Sequence, residues 1–178
     1  AMHLRKTGAL IRAAVGAGAI MGGADDRLLA TLDTYAIEIG RGEILTQGER
    51  VALLGYGYGV SLAGGAAALL AAEHGVEPTV ADGRFAKPLD AELIERLASE
   101  HELIVTVEEN VLPGGFGSGV LEHLADQDLL GATRVLRIGL PDRYVTHGKP
   151  ALLREEVGLT PEAVAQRVAQ AVLEPTLA

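Results

Sequence analysis

Between Glu102 and Ser118 the chain reads ELIVTVEENVLPGGFGS. Leu103 to Val107 is a short apolar run rich in branched residues, the pattern of a buried strand. Glu108, Glu109 and Asn110 follow, then a Pro-Gly-Gly break, then an apolar helical pattern from Val120. A strand that is apolar on both of its faces needs cover on both, which points to a layered α/β structure with a parallel sheet. Open sheets of that kind gather their sites at the carboxyl ends of strands. The segment from Glu108 to Gly115 is therefore the first surface of interest.

The rest of the chain repeats the alternation. Val51 to Gly55, Thr79 to Ala81 and Arg134 to Ile138 read as strands. Ser61 to Glu73 is an alanine-rich helix stopped by His74-Gly75. Asp90 is an N-cap for a helix to about Ser99, Leu152 to Glu156 is a short helix, and Thr160 with Pro161 opens a last one to Leu173. Strand-helix-strand repetition implies right-handed crossovers. The expected core is Val51, Leu53, Leu54, Leu69, Val80, Leu93, Leu97, Ile104, Val105, Val107, Leu121, Val135, Leu136, Ile138, Val164 and Val168. Before Tyr35 the pattern is faint: Leu10 to Val15 and Asp25 to Leu32 suggest helical turns, interrupted by Gly16, Gly18, Gly22 and Gly23. AIEIGRGEILTQG, from Ala36 to Gly48, suggests two short strands or an edge hairpin.

Composition narrows the function. The 178 residues suit one domain with an aliphatic core, since aromatics are only 3%. Fifteen basic residues against 24 acidic ones give a net charge of −9, which argues against nucleic acid and anionic membranes as partners. With no cysteine, disulfides and thiolate chemistry are excluded, and a cytoplasmic location is expected. The apolar N-terminal stretch is broken by glycines, unlike a secretory signal.

Three constellations could carry chemistry. GYGYG, Gly55 to Gly59, lies between a strand and a helix, with Asp82 ending the next strand, an arrangement like a dinucleotide site. Gly64 and Gly65 do not complete that fingerprint, and a tight strand-to-helix turn is the plainer reading. Glu108 and Glu109 could act as an acid-base pair. Consecutive strand residues point to opposite sides, however, so a loop-stabilising or interface role is expected, shared with Gly114 and Gly115. Asp142 and His147, in the loop GLPDRYVTHG, invite a general-base reading, but no nucleophile accompanies them. They too are expected to be structural or interface residues. The histidines show no ligand spacing, so no metal site is expected. Arg84, Lys87 and Arg143 could form a basic rim that pairs with Glu108 and Glu109.

VADGRFAKPLD, LIVTVEENVLPGGFGSGVLEHL and VLRIGLPDRYVTHG, in that order, resemble the C-terminal domain of 1-deoxy-D-xylulose-5-phosphate synthase, a thiamine-diphosphate enzyme of the transketolase superfamily. The resemblance runs from about Ile37 to Val172. It implies a three-layer α/β/α sandwich with a five-stranded, mostly parallel sheet and one antiparallel edge strand. It also divides the chain into a divergent or poorly ordered linker (1–34) and a transketolase C-terminal-like domain (35–178). Family members join pyruvate, with loss of carbon dioxide, to glyceraldehyde 3-phosphate. Two other domains hold the cofactor diphosphate with magnesium and supply the activating glutamate. The diphosphate motif is missing here, as is the arginine segment that precedes this domain in the family. The resemblance thus implies a scaffolding module that binds no thiamine diphosphate, is inactive alone, and packs against sister domains or a second copy. A β-type 2-oxoacid dehydrogenase subunit fragment and an independent nucleotide-binding domain are the alternatives.

Overall fold

The computed structural model describes residues 2–173 and divides into two compact units after Arg41. The first unit is a helical hairpin of α1 (Met2–Met21) and α2 (Asp26–Glu38). Both helices run well past the expected turns at Leu10 to Val15 and Asp25 to Leu32. Each internal glycine costs a helix about 1 kcal/mol relative to alanine, and the alanines around Gly16 and Gly18 offset that. Gly23, at φ +77°, then ends α1. The Asp25 carboxylate caps α2 by accepting from Leu28 N at 2.8 Å.

Arg12 clamps the two helices through paired hydrogen bonds to Asp33. Those bonds hold the Asp33 carboxyl below its ordinary pKa. A depressed folded-state value means that the contribution is complete above the usual aspartate range, about pH 4, and is lost as the pH falls through the folded value. A carboxyl-detected NMR titration should place the Asp33 midpoint below that range in the intact chain, and R12Q should return it there. Equal midpoints in both proteins would show that the clamp does not form.

The second unit holds β1 (Glu43–Thr46), β2 (Val51–Gly55), α3 (Tyr58–His74), β3 (Thr79–Asp82), α4 (Ala91–Glu100), β4 (Leu103–Val111), α5 (Phe116–Asp126), β5 (Arg134–Leu140), α6 (Pro150–Glu156) and α7 (Pro161–Leu173). The sheet order is β1-β3-β2-β4-β5, with β1 antiparallel to β3 and the other pairs parallel. Of the two strands expected between Ala36 and Gly48, only β1 forms. Ala36 to Glu38 instead complete α2.

Alternate residues of one strand feed opposite cores. Val51 and Leu53 of β2, with Leu103, Val105 and Val107 of β4, pack under Leu62, Ala66 and Leu70 of α3 and Val164 and Val168 of α7. Ala52, Leu54 and Ile104 face Ile94 and Leu97 of α4 and Val120 and Leu124 of α5. This is the expected three-layer sandwich. Most of the expected core is buried, but Leu69, Leu121, Val135 and Leu136 are only partly so. Leu70 and Leu124 take the inward helical positions, while Val135 and Leu136 lie on β5, a sheet edge. A buried polar network fixes the opposite end of the sheet. The Thr79 hydroxyl lies 2.7 Å from His101 Nε2 and accepts from Gly48 N at 2.9 Å, and His101 Nδ1 donates to the Leu97 carbonyl at 2.9 Å.

Candidate functional site at the carboxyl ends of the strands

The connection after β2 runs to β3 on one side, and the connection after β4 runs to β5 on the other. Their carboxyl ends therefore flank the switch point where open α/β sheets form a ligand crevice. Here the crevice is closed by the protein's own backbone. Tyr56 N donates to the Val107 carbonyl at 2.9 Å. Gly59, buried in the first turn of α3, lies directly against the same carbonyl. A Cβ at Gly59 would stand 2.5 Å from the Val107 carbonyl carbon and closer still to its oxygen. The Tyr56 and Phe116 rings stack at 5.0 Å beside this junction. GYGYG is thus a tight strand-to-helix turn. Asp82, expected as a ribose ligand in the dinucleotide reading, accepts from Arg84 N at 2.8 Å instead.

The second natural anion site is the N-terminus of α5. Helix N-termini present free N–H groups and the positive end of the dipole. Gly115, the N-cap, has no side chain to offer. Glu108 serves in its place. Its side chain is fully buried, and its two oxygens accept from Phe116 N at 2.6 Å and Gly117 N at 2.8 Å. Asn110 Nδ2 adds a third bond at 3.3 Å. A buried carboxylate is tolerated only when paired or hydrogen-bonded, and the helix terminus does that here.

The loop is shaped to let the carboxylate in. Gly114 has φ +72°, a left-handed conformation that side chains disfavour. A Cβ at Gly115 would meet the Val111 carbonyl oxygen at 2.5 Å and Glu108 Oε2 at a shorter distance. Arg137 of β5 braces the loop from below, donating to the Leu112 carbonyl at 3.1 Å and to Ser118 Oγ at 2.8 Å.

β4 continues through Val111, with irregular pairing after Val107, so the two glutamates lie within a strand and alternate in direction. Glu109 is exposed and accepts from Arg154 Nε of α6 at 2.6 Å. The Arg154 guanidinium also covers the Tyr58 ring at 4.0 Å. The two carboxylates have separate partners. The acids and Arg143 take other partners than the expected ones. Arg154 takes Glu109, and Arg143 donates to Glu156 at 3.4 Å. Arg154 stands 45 residues from its partner, beyond any local sequence signal. Asp142 and His147 are exposed, and no hydrogen bond joins them among the described residues. Among the described residues no three His, Asp or Glu side chains converge on a metal position. No helix among them is long and apolar enough to cross a membrane.

Comparison with known proteins agrees with this geometry. Residues 40–164 match the family described as Transketolase, C-terminal domain. The chain is 51% identical over 133 residues to 1-deoxy-D-xylulose-5-phosphate synthase 1, chloroplastic, of Oryza sativa subsp. japonica, covering 74% of this chain and 18% of that protein. It is 51% identical over 132 residues to 1-deoxy-D-xylulose-5-phosphate synthase of Acaryochloris marina, covering 74% of this chain and 20% of that one. The chain thus spans about a fifth of the length of the curated relatives it matches. Among solved structures, a split-gene transketolase, described as an inactive beta4 tetramer, superposes with TM-score 0.68 at 34% identity, over 75% of this chain and 43% of that chain. A transketolase of Pichia stipitis shares the fold, with TM-score 0.54 at 21% identity over 76% of this chain and 18% of that chain. The matched family, the ordered synthase-like segments and the five-stranded mixed sheet together place this chain in the transketolase C-terminal domain family.

Proposed function

We propose that this chain acts as the supporting third domain of a 1-deoxy-D-xylulose-5-phosphate synthase, a cytoplasmic, dimer-forming transferase, and that it catalyses nothing alone. The observation that carries this reading is Glu108. Its carboxylate occupies the α5 amides that a diphosphate would otherwise use. Backbone contact between Gly59 and Val107 fills the neighbouring crevice.

Thiamine diphosphate needs an anchored diphosphate, a magnesium site and a carboxylate that sets its pyrimidine tautomer. The residues here do not fit that cofactor. The α5 amides are taken, and Glu108 is buried under them. In the full-length relatives, the cofactor and magnesium would belong to the other domains. The net charge of −9 fits a protein partner better than nucleic acid.

Incubation with pyruvate, glyceraldehyde 3-phosphate, thiamine diphosphate and magnesium should release no carbon dioxide and form no deoxyxylulose phosphate. Turnover above a protein-free blank would overturn the proposal.

A further inference from the structure

We infer that the hairpin of α1 and α2 is a self-association site, on which a second copy of this chain closes an antiparallel four-helix bundle. The inference is independent of the synthase reading, because the hairpin precedes the family match at residues 40–164.

The hairpin carries two apolar seams and uses one of them. The less exposed positions, Ile11, Val15 and Ala19 on α1 and Leu29, Leu32 and Ala36 on α2, recur at helical spacing and mark the seam where the two helices pack. A second apolar stripe runs beside it: Leu10, Ala14, Ala17 and Met21 on α1, and Leu28 with Tyr35 on α2. Leu10 is 63% exposed, Met21 88%, Leu28 48% and Tyr35 62%. Steps of four, three and four residues along α1, and of seven along α2, are those of a coiled-coil seam.

Both stripes lie on one side of the hairpin. On each helix the exposed stripe stands one residue before the inner one: Leu10 before Ile11, Ala14 before Val15, Leu28 before Leu29, Tyr35 before Ala36. One residue is a rotation of about 100°. The same rotation on two antiparallel helices turns both stripes to the same side. The Arg12 to Asp33 bonds set the level, which puts Leu10 level with Tyr35 and Ala17 level with Leu28.

This side calls for cover. From Ala13 to Met21 α1 has no polar side chain, the composition of a helix surrounded by protein. A unit that ends at Arg41 is small for a core of its own, and units of that size usually rely on disulfides, metals or oligomerisation. Disulfides are ruled out by the lack of cysteine.

A second hairpin fits because the seam is self-complementary. The small Ala14 and Ala17 in the middle of α1 leave holes that Leu28 and Tyr35 of a copy would fill. Charge agrees. α1 contains basic residues and no acidic one, while α2 contains three acids against one arginine. A two-fold pairing lays α1 of one copy along α2 of the other, basic against acidic.

Sedimentation velocity of the intact chain over a range of concentrations should show a reversible monomer-dimer equilibrium. L10D and Y35D change exposed side chains and put charge into the seam. Each should raise the dissociation constant at least tenfold while circular dichroism keeps the helical signal. A30E adds the same charge on the opposite, exposed side of α2 and should dimerise like the unaltered chain. If either aspartate variant loses helical signal, L10Q and Y35Q replace it, with the same weakening expected.

A chain that stays monomeric at every concentration would overturn the inference. So would a dimer that the seam variants leave unchanged, because its contact would lie outside the hairpin. A monomer whose melting temperature falls in the seam variants would show the stripe to be covered from within the chain, and the inference would be wrong. The synthase reading stands in each case.

Discussion

The G59A variant is expected to melt roughly 6–12 °C below the unaltered chain, from a loss of about 3 kcal/mol in a domain of this size. The added methyl would enter the van der Waals shell of the Val107 carbonyl, standing 2.5 Å from its carbon. Neither partner can yield cheaply. Val107 is fully buried in the central part of the sheet, and Gly59 lies in the first turn of a helix fixed by Leu62 and Ala63. Relief requires α3 to move off β4, which opens the core shared with α7. Thermal melts followed by circular dichroism would check this. G64A makes a useful control, because a Cβ at Gly64 meets nothing within 4 Å, and alanine favours the helix. A G59A melt equal to that of the unaltered chain would mean that the crevice is open in solution and free to hold a ligand.

E108A should cost about 3 kcal/mol, because it strands two buried amides and leaves a void beneath α5. The amides of Phe116 and Gly117 are buried and have no other acceptor among the described residues. E108Q should cost less but still be clearly measurable. It keeps one acceptor oxygen and turns an amide donor toward a backbone donor. E109Q should change stability by less than about 1 kcal/mol, as an exposed ion pair contributes little. Chemical denaturation of the three variants would separate the neighbouring acids. Equal effects at 108 and 109 would refute the division into a buried cap and an exposed rim residue.

The hydrophobic pattern revealed the layers because buried strands and amphipathic helices have different periods. The branched run from Leu103 to Val107 and the alanines of α3 needed no outside information. The ordered segments around Glu108 and Asp142 carried the family. Alternation along a strand separated Glu108 from Glu109 in direction, though not which of them turned inward. That choice depends on the α5 N-terminus, which starts at Phe116 and not at the later apolar residues. The short helical turns read before Tyr35 proved to be parts of longer helices, since local glycine penalties hid the alanine background. The partners of the acids could not be read locally. Arg154 reaches Glu109 across 45 residues, and Arg137 reaches the Leu112 carbonyl across 25. Only the folded sheet brings them together.

Whether the closed carboxyl end leaves room for the coenzyme is open to one measurement: an amide-resolved NMR titration of the 178-residue chain with thiamine diphosphate and magnesium. The Phe116, Gly117 and Tyr56 amides, already engaged by Glu108 and Val107, should keep their shifts at millimolar coenzyme, with no saturable change elsewhere in the domain. Saturating, one-to-one displacement of those resonances would contradict a domain whose anion and crevice positions are filled from within.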